Sequence, residues 1–163
     1  MANTDGSDFE EPDWRDEISL TLLLRIARRA YIEAIGNELW EVGIEDMPRN
    51  GPLLLRAVAS GRRPAEEILR SLHVSKQAVS QLIDTLALRG YLVRSVDEED
   101  RRRIKLELTP RGELAAATTA AATESIDERL LAAVGPAAFQ TTRATLIALA
   151  EMTHRHGGDG ADD

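Results

Sequence analysis

The amino-acid sequence predicts a mainly α-helical fold with one small β-hairpin, and three observations support this prediction. From about Glu17 onward, apolar residues recur at the three- and four-residue spacing of amphipathic helices. After Gly90 this spacing gives way to two short segments in which apolar and charged residues alternate, as they do in strands. The stretch between these segments is too charged to be buried, so it predicts the exposed tip of a hairpin.

The N-terminal part of the chain divides into a tail and a long helix. Residues 1–16 are polar and acidic, which predicts a disordered acidic tail. Between about Glu17 and Val42, Leu22 and Ile26 begin an apolar row with four-residue spacing, and a second apolar row lies beside it. Because the resulting apolar stripe is wide, we expect this helix to pack against more than one neighbour.

Three short helices are predicted in the centre of the chain. Pro52 suits the first turn of the first helix, because the N–H that proline lacks is not needed there, and this helix ends before Gly61. The second short helix is predicted at Ala65–Leu72. The third begins after Ser75, a favoured N-cap residue, and ends where Gly90 supplies a C-terminal glycine.

The two strands of the hairpin are predicted at Leu92–Val96 and Arg103–Leu108. In the second strand, Ile104 and Leu106 lie on one face, and Lys105 lies on the other. This alternation is typical of a sheet that packs on the core with one face and meets solvent with the other.

The C-terminal part predicts two more helices and a short tail. Thr109 and Pro110 suit the N-cap and first position of a helix that continues through an alanine-rich stretch. Gly135, followed by proline, breaks this helix, and a last helix continues to about His154. Residues 157–163 are rich in glycine and aspartate and predict a disordered tail.

Composition excludes several classes of protein. The chain has 163 residues, of which 43% are hydrophobic, so it is not disordered as a whole. Cysteine is absent, which excludes disulfides, thiol catalysis and thiolate metal sites. No apolar run approaches the ~18 residues of a membrane span, and the acidic start lacks the apolar core of a signal peptide. We therefore expect a cytoplasmic protein.

Charge is distributed unevenly along the chain, although the net charge is −8. Residues 1–17 contain seven acidic residues and one basic residue, whereas residues 49–111 contain 13 basic and 8 acidic residues. The central segment thus carries a balance of +5, and such an asymmetry is typical of chains with a polyanionic partner.

Three short helices followed by a hairpin describe a winged helix-turn-helix, in which the third helix buries one face and presents its polar face to the major groove. The polar side chains on that face are Lys76, Gln77, Ser80, Gln81, Asp84 and Thr85. An ordinary solvated helix surface would look the same. The hairpin favours DNA binding, because arginines on a narrow loop suit the minor groove. The candidate arginines are Arg94, Arg101, Arg102 and Arg103.

Four motifs in this order resemble the MarR family of bacterial transcriptional regulators. They are Val74–Asp84 (VSKQAVSQLID), Leu88–Leu92 (LRGYL), Asp97–Arg103 (DEEDRRR) and Leu108–Gly112 (LTPRG). The match covers roughly residues 52–112, and the flanking helices fit the layout of the family. The helix motif alone is weakly specific, whereas the four motifs together are strongly specific.

The resemblance implies a homodimer that binds a pseudo-palindromic operator and acts as a repressor, with release by a small-molecule effector. It implies that 17–44 and 110–156 are dimerisation helices and that 45–109 is the DNA-binding domain, so that the protein lies on the nucleoid when bound to DNA. The residues that match the groove-facing positions of the family are Ser75, Lys76, Gln77, Ser80 and Gln81. Arg102 matches its wing-tip arginine.

Two scarce aromatic residues, Tyr31 and Trp40, lie on or near the first long helix. We interpret them as candidates for binding a small aromatic effector, and packing at the dimer interface is the alternative. His154 and His156 do not form a metal site with other ligands, so neither a metal nor a cofactor is expected. No combination of nucleophile, base and acid indicates an enzyme.

Two functions remain open from the sequence. The first is a dimeric DNA-binding regulator, which the +5 segment favours. The second is a winged-helix module for protein interaction that does not bind DNA, which the acidic flanks and the acidic residues of the hairpin tip favour.

Overall fold

The computed structural model describes residues 17–61, 75–96 and 104–155. In these ranges the chain forms four helical segments and one two-stranded sheet. In chain order they are α1 (Leu20–Glu41), α2 (Gly51–Ser60), α3 (Lys76–Leu88), β1 (Leu92–Val96), β2 (Ile104–Leu108) and α4 (Pro110–Arg155). The predicted mainly α fold with a small hairpin is confirmed. The predicted tails at 1–16 and 157–163 and the predicted helix at Ala65–Leu72 lie outside the described residues.

Helix α1 begins at Leu20, three residues later than predicted, because Ser19 is its N-cap. The Ser19 hydroxyl accepts a hydrogen bond from the backbone N–H of Leu22 at 3.3 Å, which satisfies one of the free donors at the helix start. One side of the wide apolar stripe packs within the chain: Tyr31 and Ile35 are partly buried and Leu39 is buried. The other side of the stripe stays exposed.

The ends of α2 and α3 follow the sequence signals. Helix α2 has Pro52 in its first turn and ends at Gly61, which takes the left-handed conformation with φ 57°. Helix α3 starts after Ser75, whose hydroxyl accepts a hydrogen bond from the N–H of Ala78 at 3.2 Å. Gly90 follows the end of α3 with φ 73°, as the sequence predicted.

The hairpin pairs β1 with β2 in antiparallel register, from Leu92 opposite Leu108 to Val96 opposite Ile104. Leu92 is buried, and Leu106 and Leu108 are partly buried against the same core. The tip that joins the two strands, including residues 97–103, lies outside the described part of the chain.

Helix α4 consists of two helical parts that meet at Gly135. This glycine has φ 78° and ψ 163°, which is not helical, and Pro136 follows it. A proline disfavours helical geometry in the preceding residue and lacks an N–H, so the break at this point is expected. The first part packs against α1 and α2.

The core lies where α2, α3, β1 and the start of α4 meet the end of α1. Its largest fully buried side chains are Leu54 and Leu55 of α2, Leu86 of α3, and Tyr91 and Leu92 at the start of β1. Ala115 and Ala116 of α4 close the core from the other side. Because alanine side chains are short, α4 approaches the other elements closely. Among the described residues, the core holds α3 through one face of the helix.

Candidate nucleic-acid interface

Helix α3 has one buried face and one exposed polar face. Val79, Ile83 and Leu86 are buried, at the i, i+4, i+7 spacing of a single face. The polar side chains that the sequence predicted for DNA contact are all exposed: Ser75, Lys76, Gln77, Ser80 and Gln81. They lie on the first part of the helix, and their side chains include donors and acceptors that can read base edges or phosphates.

Ser75 has a structural task as well as an exposed position. Its hydroxyl accepts the N–H of Ala78, so it defines where α3 begins. A helix N-terminus also attracts anions, because its free N–H groups and its dipole both favour negative charge. The start of α3 therefore combines a lysine, Lys76, with a helix end that suits a phosphate group.

Arg94 of β1 forms an ion pair with Asp84 of α3. The guanidinium Nη2 lies 2.6 Å from the carboxylate Oδ1, and both side chains are about half exposed. This pair connects the hairpin to the exposed side of α3. Arg94, which the sequence predicted as a DNA contact, is thus adjacent to the polar face but already has a carboxylate partner. The other three predicted arginines, Arg101, Arg102 and Arg103, lie outside the described residues.

A polar cluster behind α3 was not found by sequence reasoning. Asp46, in the segment between α1 and α2, accepts a hydrogen bond from the phenol of Tyr91 and one from Arg111 Nη2 at 2.9 Å. Its backbone carbonyl accepts a hydrogen bond from Arg89. Arg111 also donates to the carbonyl of Arg89 at 2.7 Å and places its guanidinium 4.4 Å from the centre of the Tyr91 ring.

The junction cluster is formed by Asp46, Arg89, Tyr91 and Arg111, and it shifts the pKa values of Asp46 and Tyr91. The phenol of Tyr91 and the guanidinium of Arg111 hold the pKa of Asp46 below its usual range. Burial, followed by the hydrogen bond to Asp46, raises the pKa of Tyr91 to about 12. Asp46 is therefore ionised and Tyr91 is neutral at pH 7. The sequence signal for Arg111 was the LTPRG motif, whereas an isolated Asp46 between two helices gave none.

Thr109 and Gly112 bring α4 into close contact with the exit of α3. The Thr109 hydroxyl donates to the carbonyl of Gly90 at 2.6 Å and accepts from the N–H of Gly112 at 3.1 Å. A Cβ atom on Gly112 would lie 2.0 Å from the carbonyl oxygen of Tyr91. Only glycine fits at this position, because backbone atoms occupy the space that a side chain would need.

The two aromatic candidates for effector binding lie in different surroundings. Tyr31 donates a hydrogen bond to Asp127 of α4 at 2.6 Å, and burial together with this bond raises its pKa to about 12. Trp40 is 60% exposed. A separate open cleft of about 470 Å³ lies between α2 and α4, and the residues that line it are Arg56, Ala59, Ser60, Leu108, Glu113, Ala116, Ala117 and Ala120.

Large apolar side chains remain exposed on the two long helices. On α1 they include Leu22, Leu23 and Ile26, and on the outer part of α4 they include Leu146 and Ile147. In the described part of the chain, no helix combines the length and the apolar character needed to cross a bilayer.

Residues 45–103 match the MarR family. No curated protein matches the sequence.

Three solved structures show the same fold as this chain. MarR is 25% identical, with a TM-score of 0.60 and coverage of 97% of this chain and 99% of that chain. The DNA complex of Staphylococcus aureus MepR is 16% identical, with a TM-score of 0.68 and coverage of 85% and 99%. CouR from Rhodococcus jostii RHA1, bound to p-coumaroyl-CoA, is 18% identical, with a TM-score of 0.63 and coverage of 82% and 93%.

Proposed function

Because residues 45–103 match the MarR family and the chain has the fold of MarR, we propose that it is a homodimeric, sequence-specific DNA-binding repressor of this family. Residues 45–109 form the DNA-binding domain, and the helices within 17–44 and 110–156 form the dimer. The chain binds a pseudo-palindromic operator in double-stranded DNA and is released by a small aromatic effector. Members of this family are transcriptional regulators, and we assign no enzymatic reaction to this chain.

The exposed polar face of α3 is the observation that carries this proposal. Its opposite face is fixed in the core, so the helix presents Lys76, Gln77 and Gln81 on a rigid support. Glutamine pairs with adenine through two hydrogen bonds, and lysine donates to guanine or to phosphate. The MepR structure with the same fold is a complex with DNA, which supports this use of the fold.

The exposed apolar faces of α1 and α4 support the homodimer. Ile26 is 48% exposed and Ile147 is 53% exposed, and each has large apolar neighbours on the same helix. Contiguous apolar surface of this kind is typical of an interface between proteins. A second copy of the chain would cover it and would place two α3 helices in successive major grooves, about one helical turn apart.

A ligand-bound structure with the same fold supports the effector. CouR, which has the same fold, is bound to p-coumaroyl-CoA. In this chain we assign effector contacts to Tyr31 and Trp40. A bound aromatic molecule at the exposed Trp40 would quench its fluorescence, whereas a contact at Tyr31 would displace the hydrogen bond to Asp127.

The proposed function is tested by selecting genomic DNA fragments with the purified protein at physiological salt. We expect one enriched pseudo-palindrome with half-sites about one turn apart, and binding that weakens as salt increases. Alanine at Lys76, Arg101 and Arg102 should abolish the enrichment, and Thr21→Ala on the polar face of α1 serves as the control. An absence of salt-dependent binding would favour the protein-interaction function. Enrichment that survives the triple substitution would show that Lys76, Arg101 and Arg102 are not the DNA contacts, and loss of a protein partner by the same variant would then favour the protein-interaction function.

A further inference from the structure

The carboxylate of Asp46 joins three parts of the chain that are distant in sequence. It lies in the segment between α1 and α2, and it bonds Tyr91 at the exit of α3 and Arg111 in the first turn of α4. Arg89, the last residue before the turn at Gly90, bonds the carbonyl of Asp46 itself. The Asp46 side chain thus connects the segment between α1 and α2 to the exit of the DNA-facing helix and to the start of α4.

Backbone hydrogen bonds connect the exit of α3 to Tyr91 and to the residue before α4. The N–H of Tyr91 donates to the carbonyl of Leu86 at 2.9 Å, and the N–H of Arg89 donates to that of Thr85 at 3.0 Å, so Tyr91 continues directly from the helix. The carbonyl of Tyr91 then accepts the N–H of Thr109 at 3.1 Å. A contact that fixes the Tyr91 side chain therefore also fixes the direction in which α3 leaves the junction.

Small rotations at this exit become large displacements at the DNA face. Helix α3 has 13 residues, and the predicted base contacts Lys76 and Gln77 are at the end far from the junction. At a rise of 1.5 Å per residue the helix is roughly 20 Å long, so a tilt of about 10° moves its start by about 3 Å. Hydrogen bonds to base edges tolerate only a few tenths of an ångström, so such a tilt would break them.

We propose that Asp46 is a positioning residue for DNA binding, which sets the direction of α3 relative to α1 and α4. This proposal rests on the proposed function. Apolar contacts in the core hold one face of α3 but have no preferred direction. Hydrogen bonds from a neutral phenol and from a guanidinium to one carboxylate are directional and charge-assisted. In a dimer, the direction of α3 determines the distance between the two half-sites that the protein accepts.

The variant Asp46→Asn tests this role with little change in shape. The asparagine oxygen still accepts from Tyr91, but the charge that attracts Arg111 is removed. The matched control is Glu45→Gln, which removes one negative charge from an exposed residue next in the sequence. Tyr91→Phe is a second variant that removes only the phenol hydroxyl from the junction cluster.

The first measurement uses the most enriched fragment from the genomic selection and versions with one or two base pairs added or removed between the half-sites. We expect Asp46→Asn to bind the natural spacing about fivefold to tenfold more weakly. It should also lose most of the preference for that spacing. The slope of affinity against salt should not change, because the phosphate contacts are the same. A purely structural role would lower the melting temperature without changing the spacing preference.

The second measurement does not need DNA. The chain contains no cysteine, so spin labels attach only at introduced cysteines, Gln81→Cys on α3 and Glu124→Cys on α4. Labelled chain is diluted into excess unlabelled chain, and the distance between the two labels is measured. We expect one narrow distance in the parent and in Glu45→Gln, and a broader or shifted distribution in Asp46→Asn and Tyr91→Phe.

The two measurements separate failure of this inference from failure of the proposed function. If the parent binds no DNA while Asp46→Asn broadens the distance, the proposed function is wrong and Asp46 still fixes α3. If the parent binds its operator while Asp46→Asn matches Glu45→Gln in spacing preference and distance, the positioning role is overturned.

Discussion

The two halves of this molecule differ in how completely they bury their apolar side chains. The DNA-binding half, formed by α2, α3, the hairpin and the start of α4, has a core in which Leu54, Leu86 and Tyr91 are fully buried. In the helical half, formed by α1 and the outer part of α4, no described residue before Leu39 or after Ala122 is buried. The first half completes its own core, whereas the second exposes large apolar residues to its surroundings.

Because of this difference, the two halves obtain their stability from different contacts. A buried aliphatic side chain contributes about 1.5–3 kcal/mol relative to an exposed one, and the helical half forgoes this contribution at several positions. A second copy of the chain would supply it. The DNA-binding half should therefore keep its local structure in a monomer, while the helical half should depend on assembly.

The largest effect on operator affinity is expected from charged substitutions on the exposed apolar faces of the helical half. The double variant Ile26→Glu with Ile147→Glu places charges on the exposed apolar faces of α1 and α4. It should be monomeric in sedimentation, and its operator affinity should fall by more than about 100-fold, because the two DNA-binding units no longer act together. Thr21→Glu, on the polar face of α1, is the control. A double variant that stays dimeric would show that these faces do not form the interface.

A smaller effect is expected from a substitution at the start of α4, where Gly112 contacts the backbone of Tyr91. Gly112→Ala forces a Cβ atom into the carbonyl of Tyr91, and such overpacking costs about 1–3 kcal/mol of unfolding free energy. The control is Gly36→Ala on α1, where nothing lies within 4 Å of the added Cβ. There alanine should stabilise by about 0.5–1 kcal/mol, since glycine is a poor helix former. Equal unfolding temperatures for the two variants would contradict the close approach at Gly112.

The sequence predicted the elements of this fold well, because their boundaries depend on local chemistry. Ser75 caps α3, Gly90 ends it, and Gly135 interrupts α4, as side-chain type and glycine geometry required. Helix α1 begins at Leu20 and not at about Glu17, because the apolar periodicity that predicted the helix does not show that Ser19 caps it.

The candidate site could be predicted only in part, because part of it depends on contacts between distant residues. The exposed face of α3 follows from the spacing of Val79, Ile83 and Leu86. The cluster around Asp46 joins residues separated by 45 and 65 positions, and neither periodicity nor a local motif encodes such pairings. The ion pair between Arg94 and Asp84 is not encoded by a local motif either. Arg94 would have to break this ion pair in order to contact DNA.

The ion pair between Arg94 and Asp84 predicts that its removal in the DNA-binding half gives a modest gain in affinity for the operator. Asp84→Asn removes a negative charge from the exposed side of α3 and frees Arg94 for a phosphate. Since exposed ion pairs contribute about 0–1 kcal/mol, we expect operator binding to tighten about threefold. Glu41→Gln on α1 removes the same charge in the other half and should leave affinity unchanged. Weaker binding by Asp84→Asn would mean that the ion pair holds the hairpin in place rather than masking Arg94.

The smallest expected effect is a change in the pKa of one tyrosine, and each half of the molecule contains one tyrosine. The chain has two tyrosines, and burial with a carboxylate partner raises the pKa of Tyr31 in the helical half and of Tyr91 in the DNA-binding half to about 12. A raised pKa means that the folded state holds the phenol proton more tightly. The stability that these groups contribute is therefore complete below the ordinary value of 10 and is lost as pH rises towards 12.

Ultraviolet titration of phenolate in Tyr31→Phe and Tyr91→Phe isolates the two groups, so each half can be followed separately. In the parent chain both should titrate near 12. In the monomeric variant Ile26→Glu with Ile147→Glu, we expect the pKa of Tyr31 to fall towards 10, because the packing of α1 on α4 loosens and water reaches the phenol. The pKa of Tyr91 should stay near 12, because its core is complete within one chain. A parallel fall of both values would show that the DNA-binding half also depends on the dimer.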